Sequence, residues 1–220
     1  MAAVVVQQEQ QDVRIPAWVC DLASFRRWGK SEDFPDRGWY AYLNGELWVD
    51  PSMERLAHNQ VKGEIGLVLA SLVKRGGTGR FLGDRMLLTN MDADLSTEPD
   101  GMFLSYAGLR AGRVRLAEGE DSLEVEGSPE MVLEVVSPTS RRKDTVVLRE
   151  LYWRAGVREY WLANPARQGL TFDILRHGPK GYIAVRKQGG WIRSGVFGAS
   201  FRLSRGTDPV GLPAYTLAVR

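Results

Sequence analysis

Residues 131–163 constrain this chain more than any other stretch. Residues 131–136 read MVLEVV, a valine-rich apolar run broken only by Glu134. Its length and composition suit a buried strand. Residues 139–155 read as a helix that Ser140 or Thr139 can cap, with Leu148, Leu151 and Tyr152 on its inner stripe and Gly156 ending it. Residues 157–163 (VREYWLA) are strand-like again. Strand–helix–strand is the pattern of a right-handed crossover between parallel strands, and it commits the chain to an α/β architecture.

The flanking sequence fits around that unit. Residues 39–50 (WYAYLNGELWVD) place Asn44-Gly45 between apolar runs, which predicts a hairpin, because these residues accept the positive φ of a tight turn. Residues 53–74 repeat Leu56, Val61, Ile65, Val68, Leu69 and Leu72 at three- and four-residue spacing, which predicts a helix ended by Gly76-Gly77. Residues 81–89 and 101–105 read as strands, and 114–116 and 122–125 as short ones. Residues 170–175, 181–187 and 191–194 predict a C-terminal β-meander, and 197–220 an irregular or short-stranded tail. Trp153, Tyr160 and Trp161 read as core, and so does Tyr152, for which stacking on a base is the weaker alternative.

Glu134 is the residue that composition does not explain. Alternation puts it on the face of Val132 and Val136. A carboxylate buried there needs a partner or a cation; a structural ion pair is the alternative reading. Asp100 opens the 101–105 strand behind Glu98-Pro99, and alone it reads as a turn residue. If the two strands are neighbours, the carboxylates converge. Such a pair repels unless a divalent ion lies between, and Mg²⁺ is bound this way.

Composition removes other classes. The chain has 220 residues, which predicts a frayed tail over 1–12 and one domain over 13–220. Its one cysteine, Cys20, excludes a disulfide framework and a cysteine zinc cluster, which suits a reducing cytoplasm. No apolar run reaches membrane-span length, and the first residues lack the basic start of a signal peptide. The net charge of +2 is too mild to announce nucleic-acid binding. Arg110, Arg113 and Arg115 form one basic cluster, read as solvated surface. Arg141, Arg142 and Lys143 form another, which gains interest by opening the helix after Glu134, where it can contact phosphates.

Pro99-Asp100, the segment LEVVSPTS, the Asp144 helix and the GVREYW strand, with Gly45-Glu46-Leu47 and the His58 helix upstream, resemble the Uma2 family of the PD-(D/E)XK nuclease superfamily. The resemblance spans roughly residues 40–165. It implies a restriction-endonuclease-like mixed sheet flanked by helices and Mg²⁺-dependent (or Mn²⁺-dependent) cleavage of phosphodiester bonds in DNA; the sequence leaves oligomeric state open, a homodimer that cuts two strands being one option. Asp100 would match the family's PD aspartate and Glu134 its acidic residue, together holding the metal. Glu46 lies where a further acidic residue is often found. His58 by itself reads as structural; if it and Glu46 both face the carboxylates, it would position a water or contact a phosphate. Two positions depart from the pattern. The lysine expected two residues after Glu134 is Val136, and the substitute lysine four residues after Asp144 is Leu148. Arg149 or Lys143 is then the candidate for its work. One helical residue is about 100° of rotation, so Arg149 need not face the site.

Three readings follow in order. The first is a metal-dependent endonuclease. The second is a degenerate nuclease that binds nucleic acid without cutting it. The third is a protein-interaction module whose acids form only ion pairs, with the meander as a dimer edge.

Overall fold

The computed structural model of the chain describes residues 4–8, 11–83, 85–166 and 169–220. Near the N-terminus, where a frayed tail is expected, β1 (Val4–Gln8) pairs antiparallel with β2 (Gln11–Ile15); residues 1–3 and 9–10 of that expected tail lie outside the described residues. A helix absent from the sequence reading follows. In α1 (Leu22–Gly29), the Asp21 side chain accepts the Ser24 N–H at 2.7 Å in a reciprocal cap. Leu22, Phe25 and Trp28 of α1 pack on the expected hairpin of β3 (Trp39–Leu43) and β4 (Glu46–Asp50). Asn44 and Gly45 take φ of 49° and 86° at its turn, the left-handed backbone that this dipeptide predicts.

Helix α2 (Leu56–Gly76) begins at 56 rather than 53 and ends on Gly77 in the left-handed conformation. It leads into β5 (Gly79–Gly83), β6 (Leu87–Asn90), β7 (Leu95–Thr97), β8 (Gly101–Ser105), the short α3 (Tyr106–Arg110), β9 (Val114–Arg115) and β10 (Glu124–Gly127). The crossover is β11 (Met131–Val135), a helix over 141–154, and β12 (Glu159–Ala166). Within that helix, Lys143–Val147 form a π turn and α4 (Leu148–Arg154) is regular. The C-terminal part is β13 (Gly169–Gly178), β14 (Gly181–Ala184), β15 (Ile192–Arg193), β16 (Ser200–Thr207) and β17 (Pro213–Val219). The last two are a long hairpin where an irregular tail is expected, registered from Phe201–Val219 to Thr207–Pro213.

The central sheet runs β14-β13-β12-β11-β8-β5. β11 and β12 are parallel, as the crossover requires, and the other neighbours antiparallel. Its two faces are sorted by alternation. Val132 and Tyr160 face Leu148, Leu151 and Tyr152 of the crossover helix. Met131, Leu133 and Val135 face Val61, Ile65 and Leu69 of α2, and Phe201 and Leu217 of the three-stranded sheet β15-β16-β17. A second six-stranded sheet, β4-β3-β7-β6-β10-β9, stands beside it. Among the described residues no helix is long and apolar enough to cross a membrane.

Candidate active site

Strand register brings the two carboxylates together. β8 and β11 are antiparallel with Gly101 opposite Leu133. One step further along that ladder places Asp100 beside Glu134, on the same face of the sheet. The Asp100 carboxylate accepts the Val135 N–H at 2.6 Å, which fixes it against the end of β11. Both acids line one cavity of about 250 Å³, together with Trp39, Glu54, His58, Ser140 and Lys143.

The electrostatics of the two differ. Burial would raise Asp100, but the hydrogen bond and charge of His58, the Val135 N–H and the Lys62 charge outweigh it, and the carboxyl is held below its ordinary range. His58 Nε2 stands 3.5 Å from Asp100 Oδ2, and its Nδ1 3.5 Å from Glu54 Oε2. These acids overcome the burial that would lower the imidazole, leaving it above its usual value. Glu134 goes the other way. Burial pushes it well above the carboxylate range; Asp144 and Asp100 add to this, against Lys143 and the Tyr152 hydroxyl, which donates to Glu134 Oε1 at 2.7 Å. Asp144, also buried, is raised for the same first reason, with Ser140 donating to its Oδ2 at 2.5 Å.

Lys143 enters from the π turn. Its Nζ lies 3.0 Å from Asp144 Oδ1, 3.8 Å from Glu134 Oε2 and 3.9 Å from the centre of the Trp39 ring. Burial would lower this ammonium, yet Glu134 and Asp144 hold it above its ordinary value. Leu148 is fully buried in the core and Val136 nearly so, with the Val136 N–H on the Ala163 carbonyl. Both expected lysine positions are therefore apolar and buried.

The other candidates are distributed unevenly. His58 joins the cluster. Arg149 does not: its guanidinium donates to the Tyr182 carbonyl at 3.0 Å, because the single residue separating it from buried Leu148 turns it away from the carboxylates. Glu46, exposed at the head of β4, accepts from the Trp48 indole N–H at 3.1 Å and is not among the cavity's residues. The acid beside His58 is instead Glu54. Arg141 and Arg142 are exposed, with Arg142 over the Trp48 ring at 5.6 Å, and only Lys143 of that trio turns inward. Of the other basic cluster, Arg113 and Arg115 are paired with Glu130 and Glu126. Glu54, Tyr152 and Trp39 are site residues that the sequence does not single out. His58 and Lys62 share one face of α2 at four-residue spacing, and Glu54 meets both from just before the helix.

The donor set suits a hard divalent cation. Asp100, Glu134 and Glu54 offer oxygens, and ligand atoms of Glu54, His58 and Asp100 lie within 4.8 Å of one another. Two buried polar atoms here, His58 Nδ1 and Asp144 Oδ1, make no well-aligned hydrogen bond among the described residues, and their nearest charged neighbours are Glu54 at 3.5 Å and Lys143 at 3.0 Å.

Fold and site together define an α/β protein of restriction-endonuclease-like architecture. The chain belongs to the Uma2 family, whose model, described as "putative restriction endonuclease", matches residues 22–204. A solved structure from Anabaena variabilis, described as "a putative nuclease belonging to DUF820", superposes with a TM-score of 0.59 at 19% identity, covering 81% of this chain and 90% of that one. At that identity it speaks for the fold. Among curated proteins none matches.

Proposed function

We propose that this chain is a Mg²⁺-dependent endonuclease that hydrolyses phosphodiester bonds in DNA, with the ion held by Asp100 and Glu134. The observation that carries this reading is the register that sets two carboxylates side by side in a polar cavity, one of them raised well above its ordinary range by burial. A divalent ion supplies what that pair lacks, and when bound it polarises a phosphoryl oxygen. Mn²⁺ satisfies the same donors.

The chain's own residues divide the remaining work. Tyr152 and the Val135 N–H hold the carboxylates in place from behind. His58 orients Asp100 and is charged over a wider pH range than a free histidine, so it can also meet a phosphate oxygen. Lys143 sets a buried positive charge beside Glu134, where the negative charge of the transition state develops. Arg141 and Arg142 lie next to it on the same helix and are placed for the flanking phosphates. Glu46 and Arg149 take no part in this arrangement.

The apolar, buried Val136 and Leu148 favour a second reading, a protein that binds DNA and no longer cuts it. Nicking of supercoiled plasmid separates the two. The first reading expects cleavage with Mg²⁺ or Mn²⁺ that disappears in Asp100→Ala and Glu134→Ala. It also expects a rise in Tm with Mn²⁺ that both variants lack. A protein that binds the ion and DNA but leaves every DNA and RNA intact leaves the second reading standing.

A further inference from the structure

The outward face of the C-terminal sheet carries chemistry that the carboxylate cavity does not use. Residues 169–220 contain eight Lys or Arg against two acids, Asp173 and Asp208, although the whole chain is only +2. The rest of the chain is therefore net acidic, and the positive charge is concentrated in this part of the sequence. Strand register concentrates it further. Ile192, Phe201, Tyr215 and Leu217 point inward and are buried. Arg193 is paired with Ser200 and Arg202 with Ala218, and the Arg220 N–H bonds the Ser200 carbonyl. Alternation then places Arg193, Arg202, Arg220, Ser204 and Thr216 on the opposite face, and all five are exposed.

This face is ordered before anything binds to it. The Arg202 and Arg220 guanidinium carbons lie 4.8 Å and 4.3 Å from the centre of the Trp191 ring. The stem of Arg202 also rests on the turn at Gly190, whose φ of 80° and missing side chain leave the space; a Cβ there would stand 3.3 Å from Arg202 Cδ. An arginine held on an aromatic ring loses less freedom when it binds. Of the basic side chains from 169 onward, only Lys187 has a carboxylate within ion-pair distance among the described residues, Asp173 at 3.0 Å. Arg202 and Arg220 are thus preordered, and with Arg193 they stand unneutralised among the described residues, with hydroxyls between them. β17 and Arg220 also lie beyond the residues that the family model matches.

We propose that this face is a second DNA-contact surface, remote from the cavity, that grips the phosphate backbone of duplex DNA without reading sequence. Charge complementarity selects the occupant: two fixed guanidinium groups and a third exposed one, with Ser and Thr hydroxyls on the same sheet face, match a run of phosphates. The surface would hold duplex flanking the bonds presented to the cavity, so the proposal rests on the DNA-directed reading above, but its test does not depend on cleavage.

The measurement is fluorescence anisotropy of a labelled 30-base-pair duplex, roughly three helical turns, over a salt series without divalent metal. The comparison is Arg202→Gln/Arg220→Gln against the native chain and against Lys74→Gln/Arg75→Gln, two exposed cations at the end of α2. The first pair is expected to weaken binding roughly tenfold or more near 0.1 M salt, and to lower the slope of log K against log salt by about 0.9 for each phosphate that is no longer neutralised. The control pair should leave both close to native. Arg202→Lys/Arg220→Lys, which keeps the charge, should recover most of the affinity, and circular dichroism should show all variants folded. Unchanged affinity and slope, or an equal loss in the control pair, overturns the proposal. So does competition by polyglutamate as effective as that of DNA at equal charge, which would make the partner an acidic protein. A chain that cuts nothing yet needs these arginines for DNA sinks only the nuclease reading; one that cuts with Mg²⁺ and ignores them sinks only this surface.

Discussion

Lys143 satisfies two demands that a sequence motif treats as one. A lysine near the metal carboxylates must be close enough to lend its charge and must also survive burial. Here the ammonium meets Asp144 at 3.0 Å, Glu134 at 3.8 Å and the Trp39 ring at 3.9 Å, so its charge is compensated on three sides. Replacing Lys143 with Met keeps most of the volume and removes the charge. Under the endonuclease reading, turnover in a plasmid-nicking assay should fall by roughly 10²–10³, the usual cost of one preorganised electrostatic contact. Arg149→Ala should leave turnover close to native, because that guanidinium serves the Tyr182 carbonyl. The reverse outcome, with Arg149 essential and Lys143 dispensable, would reassign the positive charge.

At the scale of elements, α1 is fastened by a charge network that also reports on pH. Arg26 bonds Glu124 at 2.6 and 2.8 Å and Glu126 at 2.6 Å, tying the helix to β10. Glu124 is buried, which by itself raises its pKa, but the hydrogen bonds of Arg26 and Thr89 and the Arg26 charge win and hold it below its ordinary 4.5. A lowered carboxyl binds fewer protons in the folded than in the unfolded state. Its contribution is therefore complete above pH 4.5 and is lost as the pH falls through the folded value. The urea midpoint should accordingly decline below about pH 4.5. Arg26→Ala should lower stability at pH 7 by roughly 1–3 kcal/mol, by leaving buried Glu124 with only the more distant Lys30 ammonium at 3.4 Å as a charged partner, and should flatten the acid decline. An acid limb as steep as the native one in Arg26→Ala would locate the pH dependence elsewhere. The elements also explain what a linear reading can see. Asn44-Gly45 and the MVLEVV–helix–GVREYW unit are local patterns, and they appear where the sequence predicts them. The pairing of Asp100 with Glu134 is not local: it requires two distant strands to be neighbours, which the β8–β11 register supplies. The β16–β17 hairpin is not local: past Leu203, β16 turns polar, and its partner begins only at Pro213. The π turn is invisible for another reason. In an unbroken α-helix, Lys143 would lie about 140° around the axis from Leu148. The wider turn of Lys143–Val147 returns it toward the face of Leu148 and Tyr152, a demand set by the carboxylates across the interface. Glu46 and Glu54 show the same limit: both are acids near His58 in sequence, and only tertiary structure tells which one stands beside it.

The whole molecule is held together in part by a buried acid that does not line the cavity. Glu159, at the start of β12, accepts Ser194 Oγ at 2.6 Å and the Trp161 indole N–H at 3.0 Å on one oxygen, and the Gly195 and Val196 N–H groups at 2.6 and 3.2 Å on the other. Four donors replace the water that burial removes. Three of those donors belong to the segment between β15 and β16, so this one side chain bolts the C-terminal sheet to the central one. Glu159→Gln keeps the shape but turns an amide NH₂ toward groups that are themselves donors, leaving at least one buried N–H or O–H unmatched. Urea unfolding should show a loss of roughly 2–4 kcal/mol. The proposed metal site should be spared. Glu134 pairs with Leu162, three residues along β12 from Glu159, or about 10 Å of strand. Mn²⁺ titration of the folded variant should therefore give the native dissociation constant, while the arginine face, carried on the loosened sheet, should lose DNA affinity in step with stability. Parallel loss of metal affinity and stability would mean that sheet and cavity form one cooperative unit, and that the division of labour between catalytic cavity and outer DNA surface does not exist.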